Sequence, residues 1–533
     1  MRLGEFRNDF PREACALVML IACVLTACVV SGCASSSRAS APAGIWVGTA
    51  TTATNGVTQS ATAFITPSGE MRLGTGDCVQ FVGHFVSYTP SNGLLKVSFT
   101  GSLQHATYCN GDQIAAYDGP PTTGGSTASL GGTISGGNSM SLTVVSDAGS
   151  YSAQLRLQTP ATAQGSAPAQ GSSALAGAYV DFSNFETDLA VDGSGHITGR
   201  NLSGPVSGTL LPLPQYPYMY SASIQGNGAS YAGIAVVTSS LLPNDTIAGL
   251  LSAGAEALTL TLRRLPPPAL PRFGALLASG RPASLRIAGF GSSVGLGVTL
   301  PDPATEAPVE WFGARLLSAF RSRGLLDVQV ENLSVSGSAM IQADAYYSAF
   351  LAGSNRPPNI AVIVYGMNDG NTPLYNAGQT FKLFVTSLTG FIRRLQNDGA
   401  DVVVMTTPHP RSNIGWAMPL GTPQIYPTFI APPVLPEQLD PPVSRSEPDV
   451  DILGTGTPIP IAVRHYRINV SMRRAAVATG AALIDVEPGW FSAIAQYGEA
   501  ALFGPNETVH PDLLGVQSSY QAATNTFMGA LEE

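Results

Sequence analysis

The hydrophobic rhythm of the chain changes twice. From Gly44 to about Leu157, apolar and polar residues alternate in short segments, as in Ala61-Thr-Ala-Phe-Ile-Thr66 and Leu94-Leu-Lys-Val-Ser-Phe99. Turn signals such as Pro67-Ser-Gly69 separate them. A period of two, bounded by Gly, Ser and Asn, predicts the half-buried strands of an all-β sandwich or barrel. A stretch rich in Ala, Gln, Gly, Ser and Pro follows near Thr159 to Ser173 and reads as a linker. The alternation then restarts and runs to about Leu265.

The second run repeats the first. Ala43-Gly-Ile-Trp-Val47 is echoed by Ala176-Gly-Ala-Tyr-Val180, and Ile65-Thr-Pro-Ser-Gly69 by Val191-Asp-Gly-Ser-Gly195. Tyr151-Ser-Ala-Gln-Leu-Arg-Leu157 is echoed by Ala257-Leu-Thr-Leu-Thr-Leu-Arg263. Shared order and spacing predict two copies of a β unit of about 90 to 115 residues, each long enough for its own core. The expected domains are residues 44–158 and 175–265, joined by a linker over 159–174. Trp46, Tyr179, Tyr216, Tyr218 and Tyr220 read as core and strand-end anchors rather than a sugar platform. Asp192 and Ser194 read as a turn rather than a calcium site.

Leu265-Pro-Pro-Pro-Ala-Leu-Pro271 marks a boundary, with a Pro-rich linker expected over 266–283. Beyond it, over 284–533, strands alternate with helical periodicity, the pattern of a parallel α/β sheet. Strands are expected at Ser284–Phe290, Leu326–Leu333, Ile360–Tyr365, Asp401–Thr406 and Ala481–Val486. Helices are expected at Glu306–Arg323, Ala339–Leu351, Phe381–Gln396, Ile461–Thr479 and Leu513–Leu531. A Pro-dense insertion of about 50 residues, near 409–460, is long for a plain loop. Trp416, Tyr426 and Phe429 are placed to line a lid, with a surface loop of no role as the alternative.

Composition narrows the setting. Charged residues are only 11% of the 533, Gly numbers 58 and Pro 40, and the net charge is −9. An acidic chain without a basic run has no footprint for nucleic acid, so no such partner is expected. The one long apolar stretch, Cys15 to Val30 after Arg2, Arg7 and Arg12, is short for a membrane span and sits where a signal peptide belongs. Its end, Val30-Ser-Gly-Cys33, resembles the lipobox of bacterial lipoproteins. That resemblance implies acylation of Cys33, with 1–33 as signal and lipidation site, 34–43 as tether, and the membrane as a partner. Leu25-Thr-Ala-Cys28 matches as well by side chain; Cys33 is preferred because a small, polar tether follows it. Ala34 in place of Asp favours an outer-membrane anchor in a Gram-negative envelope. Cys78 and Cys109 are then the cysteines left for folding, as a disulfide in an oxidising envelope or as two buried thiols. No Cys/His cluster has metal-ligand spacing, so no structural zinc is expected.

The chemistry is expected at strand ends, because open parallel sheets place their sites there. The first strand is followed by Gly289-Phe-Gly-Ser-Ser-Val-Gly-Leu-Gly297, the second by Asn332-Leu-Ser-Val-Ser-Gly337, and the third by Gly366-Met-Asn-Asp-Gly370. Glu507-Thr-Val-His510 precedes the last helix. A hydroxyl, backbone and amide donors, and an imidazole with a local carboxylate form an acyl-transfer set. His84, His105 and His196 lie in the β part and have no such company; His409 opens the insertion, with a structural role favoured over rimming the pocket, and His465 reads as surface or packing on a helix.

These four blocks, in this order, resemble the SGNH (GDSL-type) hydrolase superfamily over nearly half the chain. The resemblance implies a flavodoxin-like three-layer α/β/α hydrolase domain behind two duplicated all-β domains. It implies Ser293 as nucleophile and His510 as base with Glu507 as its carboxylate. The oxyanion donors would be the N–H groups of Ser293 and Gly337 and the Asn368 amide. Two positions depart from the family pattern: Ser292 stands where Asp precedes the nucleophile, and Glu507 where the triad carboxylate is Asp. The expected activity is ester hydrolysis in the cell envelope without a cofactor, with O-acetyl groups of a glycan as the preferred substrate by analogy. The rivals are an O-acetyltransferase acting on envelope polysaccharide, a lipase or arylesterase, and a non-catalytic binding lipoprotein.

Overall fold

A computed structural model describes residues 42–532 apart from 54–55, 77–78, 92–93, 109–125, 147–148, 159–171, 183–186, 202–203, 214–215, 227, 239–244, 255, 281–282, 355, 372–379, 411–460, 505–506 and 508. Cys28, Cys33, Cys78 and Cys109 lie outside the described residues, as do the Pro-dense insertion beyond Pro410 and the linker residues 159–171.

The first β lobe holds eight strands: β1 Gly44–Thr52, β2 Thr58–Ile65, β3 Glu70–Thr75, β4 Val79–Ser91, β5 Leu94–Tyr108, β6 Ser126–Ser135, β7 Ser139–Ser146 and β8 Gly149–Gln158. β1 pairs antiparallel with both β2 and β8, β8 with β7, and β7 with β6. The second lobe also holds eight: β9 Gly177–Asp181, β10 Asp188–Val191, β11 His196–Asn201, β12 Gly204–Leu213, β13 Tyr216–Gly226, β14 Ala229–Thr238, β15 Thr246–Ala253 and β16 Glu256–Arg264. Each strand pairs antiparallel with the next, and β16 returns to β9, which closes the meander into a barrel without free edges.

The echoed motifs have the same local geometry. Trp46 and Tyr179 are each 1% exposed at the third residue of their lobe's first strand, so both are core residues. Gly69 and Gly195 have φ of +88° and +87°. The carbonyl of Gly69 accepts from Phe85 N at 2.7 Å and that of Gly195 from Leu210 N at 2.8 Å. Only glycine adopts this conformation without strain, so the turn fixes the residue in both lobes. Asp192 caps its turn, accepting from Ser194 N at 2.8 Å and His196 N at 3.0 Å.

By compactness the chain divides into two units, one within Met1–Met71, Val82–Ser102 and Thr127–Thr159, the other holding the rest. Arg72–Phe81 and Leu103–Ser126 belong to the second unit although they lie within the span expected for the first β domain. Side chains of these segments bond to β15 and the turn after it: Arg72 Nη1 donates to Ser252 Oγ at 2.9 Å and Gln104 Nε2 to Gly254 O at 2.8 Å.

The expected linker over 266–283 is corrected: it carries a helix, α1 Pro271–Ala278, with Phe273 buried. Proline at the first helical position is pre-set for a helix start. The remaining need for a cap is met by Asp401, which accepts from Arg272 N at 3.3 Å and Phe273 N at 2.8 Å. Five parallel strands follow: β17 Ala283–Gly291, β18 Leu325–Asn332, β19 Ile360–Val364, β20 Asp401–Met405 and β21 Ala482–Ile484. Their order is β18-β17-β19-β20-β21, each pair parallel. The strand order reverses between β17 and β19, and that switch point is where such sheets open a crevice.

The helices are α2 Ser293–Leu296, α3 Pro308–Phe320, α4 Ala343–Ser354, α5 Met367–Asn371, α6 Thr380–Asn397, α7 Ile461–Thr479, α8 Glu487–Tyr497 and, after Leu513–Val516 and one π turn, α9 Ala522–Glu532. Successive strand residues point to opposite faces. Ile287, Val362, Val364 and Val403 accordingly join Phe312, Leu316 and Phe527 in one cluster, whereas Phe290, Ala361, Ile363 and Val404 join Tyr347, Leu388 and Met472 in another. Phe290 is fully buried, edge-on to Tyr347 and Phe391 at centroid separations of 5.6 and 5.3 Å. This core fixes the strand that ends just before Ser293.

Candidate active site

β17 ends at Gly291, and the chain turns at once into α2. The turn is tight because Gly291 and Gly295 bring no side chains to its two closest approaches. A Cβ on Gly291 would meet Val364 O at 2.8 Å and Ser334 Oγ at 2.9 Å, and one on Gly295 would meet Ser334 Oγ at 2.7 Å. Ser292 is fully buried, and its N–H donates to Val364 O at 3.2 Å. Its hydroxyl has no hydrogen-bond partner among the described residues, so it gives none of the support a carboxylate there would give. Ser293 opens the helix and is 2% exposed. Gly297 closes the helix with φ +75°.

The loop that carries His510 is pinned to this turn. Thr299 Oγ1 donates to Pro511 O at 2.7 Å, Asp512 N to Leu502 O at 3.0 Å, and Phe503 pairs with Pro511 in a short bridge. Asp512 then caps the final helical segment by accepting from Gly515 N at 2.9 Å. The result brings Ser293 Oγ and His510 Nε2 to 2.7 Å. On the other side of the ring, Glu507 Oε2 lies 3.3 Å from Nδ1. That is an ion-pair distance, but Nδ1 has no hydrogen bond of good alignment among the described residues. Glu507 also accepts from Val509 N at 3.3 Å.

The donor side is built from two loops. After β18, Val335 N donates to Gly291 O at 2.9 Å and Asn332 Nδ2 to Gly295 O at 2.9 Å. These bonds tie the loop to the turn that carries Ser293. Gly337 follows with φ +78°, and no hydrogen bond engages its N–H among the described residues. After β19, Asn368 is half-buried and donates through Nδ2 to Ser338 O at 2.8 Å. An amide has two N–H bonds, so one is left for a ligand. Asp369, fully buried, accepts from Met340 N at 3.0 Å and Gly366 N at 3.2 Å, which locks the two loops together. Ser293, Gly337, Asn368, Glu507 and His510 thus all lie at the carboxyl edge of one sheet.

A second polar cluster at the same edge has no counterpart in the sequence reading. Arg473, 1% exposed at its side chain on α7, bonds three carboxylates: Asp188 at 2.7 Å, Asp485 at 2.8 Å and Glu487 at 2.6 Å. Glu487 also binds His409 Nε2, and Asn469 Nδ2 donates to it at 3.1 Å. Burial alone would raise the Glu487 carboxyl; Arg473, His409 and Asn469 outweigh that and hold it well below the usual range. Burial pushes Asp188 up, and Glu487 and Asp485 add to this against the pull of Arg473. One guanidinium cannot satisfy three acids equally. The only local sign in the sequence is Asp485-Val-Glu487 directly after β21.

Neither a protein-family model nor a curated protein sequence matches the chain. Solved structures that resemble it include an α/β hydrolase, esterases and a GDSL-like lipase. An α/β hydrolase from the metagenome of Lake Arreo is 17% identical over 46% of this chain and 96% of its own, with a TM-score of 0.31. The acetylxylan esterase of Geobacillus stearothermophilus is 13% identical over 46% of this chain and 94% of its own, with a TM-score of 0.32. A two-domain esterase active on acetylated mannans is 12% identical over 50% of this chain and 54% of its own, with a TM-score of 0.33. What decides the chemistry of this chain is its side-chain geometry.

Proposed function

We propose that the chain is a carboxylic ester hydrolase that works through an acyl-enzyme on Ser293. The observation that carries this is the 2.7 Å contact between Ser293 Oγ and His510 Nε2, with a carboxylate on the far side of the ring. His510 takes the serine proton as Oγ attacks the ester carbonyl, and returns it to the departing alcohol. Glu507 favours the imidazolium that forms between those steps. The negative charge on the carbonyl oxygen is met by the N–H groups of Ser293 and Gly337 and the free N–H of Asn368. Water, activated by the same imidazole, then releases the acid. No step needs a cofactor.

The finer reading is a three-layer α/β/α hydrolase domain, anchored in the cell envelope through Cys33 and removing O-acetyl groups from a glycan. The anchor is supported by the Val30-Ser-Gly-Cys33 pattern and the glycan by the two β lobes, an analogy at the level of architecture. The test is a panel of phenyl esters of increasing chain length, run beside Ser293→Ala. The expected result is hydrolysis fastest with acetate and lost in the variant by at least about a thousandfold. A fluorophosphonate probe should label wild-type protein at Ser293 and leave the variant unlabelled. Folded wild-type protein that neither turns over phenyl acetate nor takes the probe removes the proposal.

A further inference from the structure

The Arg473 cluster is costly to build. Each ion taken out of water costs several kcal/mol, and a buried ionic cluster is often no more stable than apolar side chains of the same volume. Part of it has an evident use. Arg473 reaches Asp188 on β10, Arg474 Nε donates to Asp181 O at 2.7 Å and Tyr466 Oη to Arg200 O at 2.9 Å. Val180 packs with Tyr466, Val470 and Val477 in the same seam. These contacts seat the second β lobe on α7. They do not require Glu487 to hold His409.

His409 lies four residues beyond β20, at the edge of the sheet where Ser293 stands beyond β17. The two strands are two places apart in the sheet order, about 10 Å at the usual spacing. A chain of contacts joins the sites. A Cβ on Gly366, which neighbours the Asn368 turn, would touch Thr407 at 3.1 Å. Thr407 N donates to Asn469 Oδ1 at 2.9 Å, and Asn469 holds Glu487. The His409 ring is therefore fixed by Glu487 through Nε2, with 10% of the side chain exposed. Among the described residues Nδ1 has no hydrogen-bond partner, and it is not one of the fully buried atoms. The Glu487 carboxylate holds a proton at Nε2, which leaves Nδ1 as the ring nitrogen able to meet a hydroxyl group. Phe491 packs against the same ring at 5.0 Å, and the exposed Arg200 of the second β lobe lays its guanidinium over Phe491 at 4.0 Å.

We propose that His409 and Arg200 form a binding site for the alcohol part of the ester, and that this alcohol is a hydroxyl-bearing sugar ring. An imidazole nitrogen held in place, with a guanidinium on the far side of Phe491, suits neighbouring hydroxyl groups, which both donate and accept, and has nothing to offer a hydrocarbon chain. Glu487 and Asn469 act through His409 as positioning residues. The second β lobe supplies Arg200 and so reads part of the substrate. This inference rests on the esterase reading of Ser293 and deepens it.

The test compares phenyl acetate with a monoacetate of methyl xylopyranoside, in the full chain and in His409→Asn and Arg200→Ala. Arg200→Ala removes an exposed side chain and leaves the buried cluster whole, so it guards against a folding defect in the first variant. The expected result is a fall of tenfold or more, in His409→Asn, in the ratio of kcat/KM for the sugar acetate to that for phenyl acetate. Arg200→Ala should lower the same ratio threefold or more, both changes arising mainly in KM for the sugar ester. A ratio within twofold of wild type in both variants overturns the inference. So does wild-type protein that hydrolyses phenyl acetate but not the sugar ester. Wild-type protein that hydrolyses neither removes the esterase reading itself, and this inference with it.

Discussion

Glu507 Oε2 stands 3.3 Å from His510 Nδ1, close enough for an ion pair and poorly aligned for a hydrogen bond. Both side chains are partly exposed, at 30% and 23%. Water therefore screens the pair, and the carboxylate orients the ring less firmly than a buried one would. Glu507→Gln should lower kcat for phenyl acetate by about 10- to 100-fold, which is roughly 1.4 to 2.7 kcal/mol. His510→Ala, which removes the proposed base, should cost at least about a thousandfold. Equal losses in the two variants, measured at one pH, would show that the carboxylate is as essential as the ring.

Asn368 is held by its bond to Ser338 O at 2.8 Å while Asp369 beside it ties down Met340 and Gly366. The amide is thus pre-positioned before any ester arrives. Asn368→Ala should lower kcat by about 100- to 1,000-fold with little change in KM, because the donor acts on charge that develops only during reaction. Steady-state kinetics on phenyl acetate check this; a loss confined to KM would assign Asn368 to ground-state binding instead.

The parts of this fold legible in the sequence are those whose cause is local. The strand β19 is an unbroken apolar run because both its faces are covered, and the Gly-Ser-Ser-Val-Gly turn follows directly from β17. Contacts between distant segments were illegible. Helix α1 hides in a Pro-rich stretch because its cap is Asp401, 128 residues from Phe273. The charged cluster draws Asp188, His409, Arg473 and Glu487 from four separate segments, so no spacing along the chain announces it. His409 reads as structural in the sequence because its partner, Glu487, is 78 residues away.

Two glycines at the site should respond differently to the same substitution. Both have positive φ, +78° at Gly337 and +113° at Gly366, so alanine is strained at each. A Cβ on Gly337 would meet nothing within 4 Å, whereas one on Gly366 would lie 2.8 Å from Ile468 Cγ2. Gly337→Ala should therefore cost only the backbone term, about 1 to 2 kcal/mol. Gly366→Ala adds overpacking in a closed core, about 1 to 3 kcal/mol more. Urea unfolding of the two variants separates the terms; equal midpoints would mean that the core yields around Gly366 without penalty.

The surroundings of Asp188 predict a sign for its contribution to the pH dependence of stability. Burial, reinforced by Glu487 and Asp485, raises its carboxyl in the folded protein despite the bond to Arg473. A carboxyl raised in the folded state keeps its proton to higher pH than in the unfolded chain. Its contribution to stability is therefore complete below the ordinary carboxylate range, near pH 4, and is lost as pH rises through the raised value. Asparagine resembles the protonated acid in shape and carries no charge to lose. Asp188→Asn should thus gain in Tm relative to wild type as pH increases from about 4 to about 8, with the two curves converging at the acid end. The ion pair with Arg473 works in the opposite direction, so an Asp188→Asn variant that loses ground as pH rises would mean that the salt bridge, not burial, governs this carboxyl.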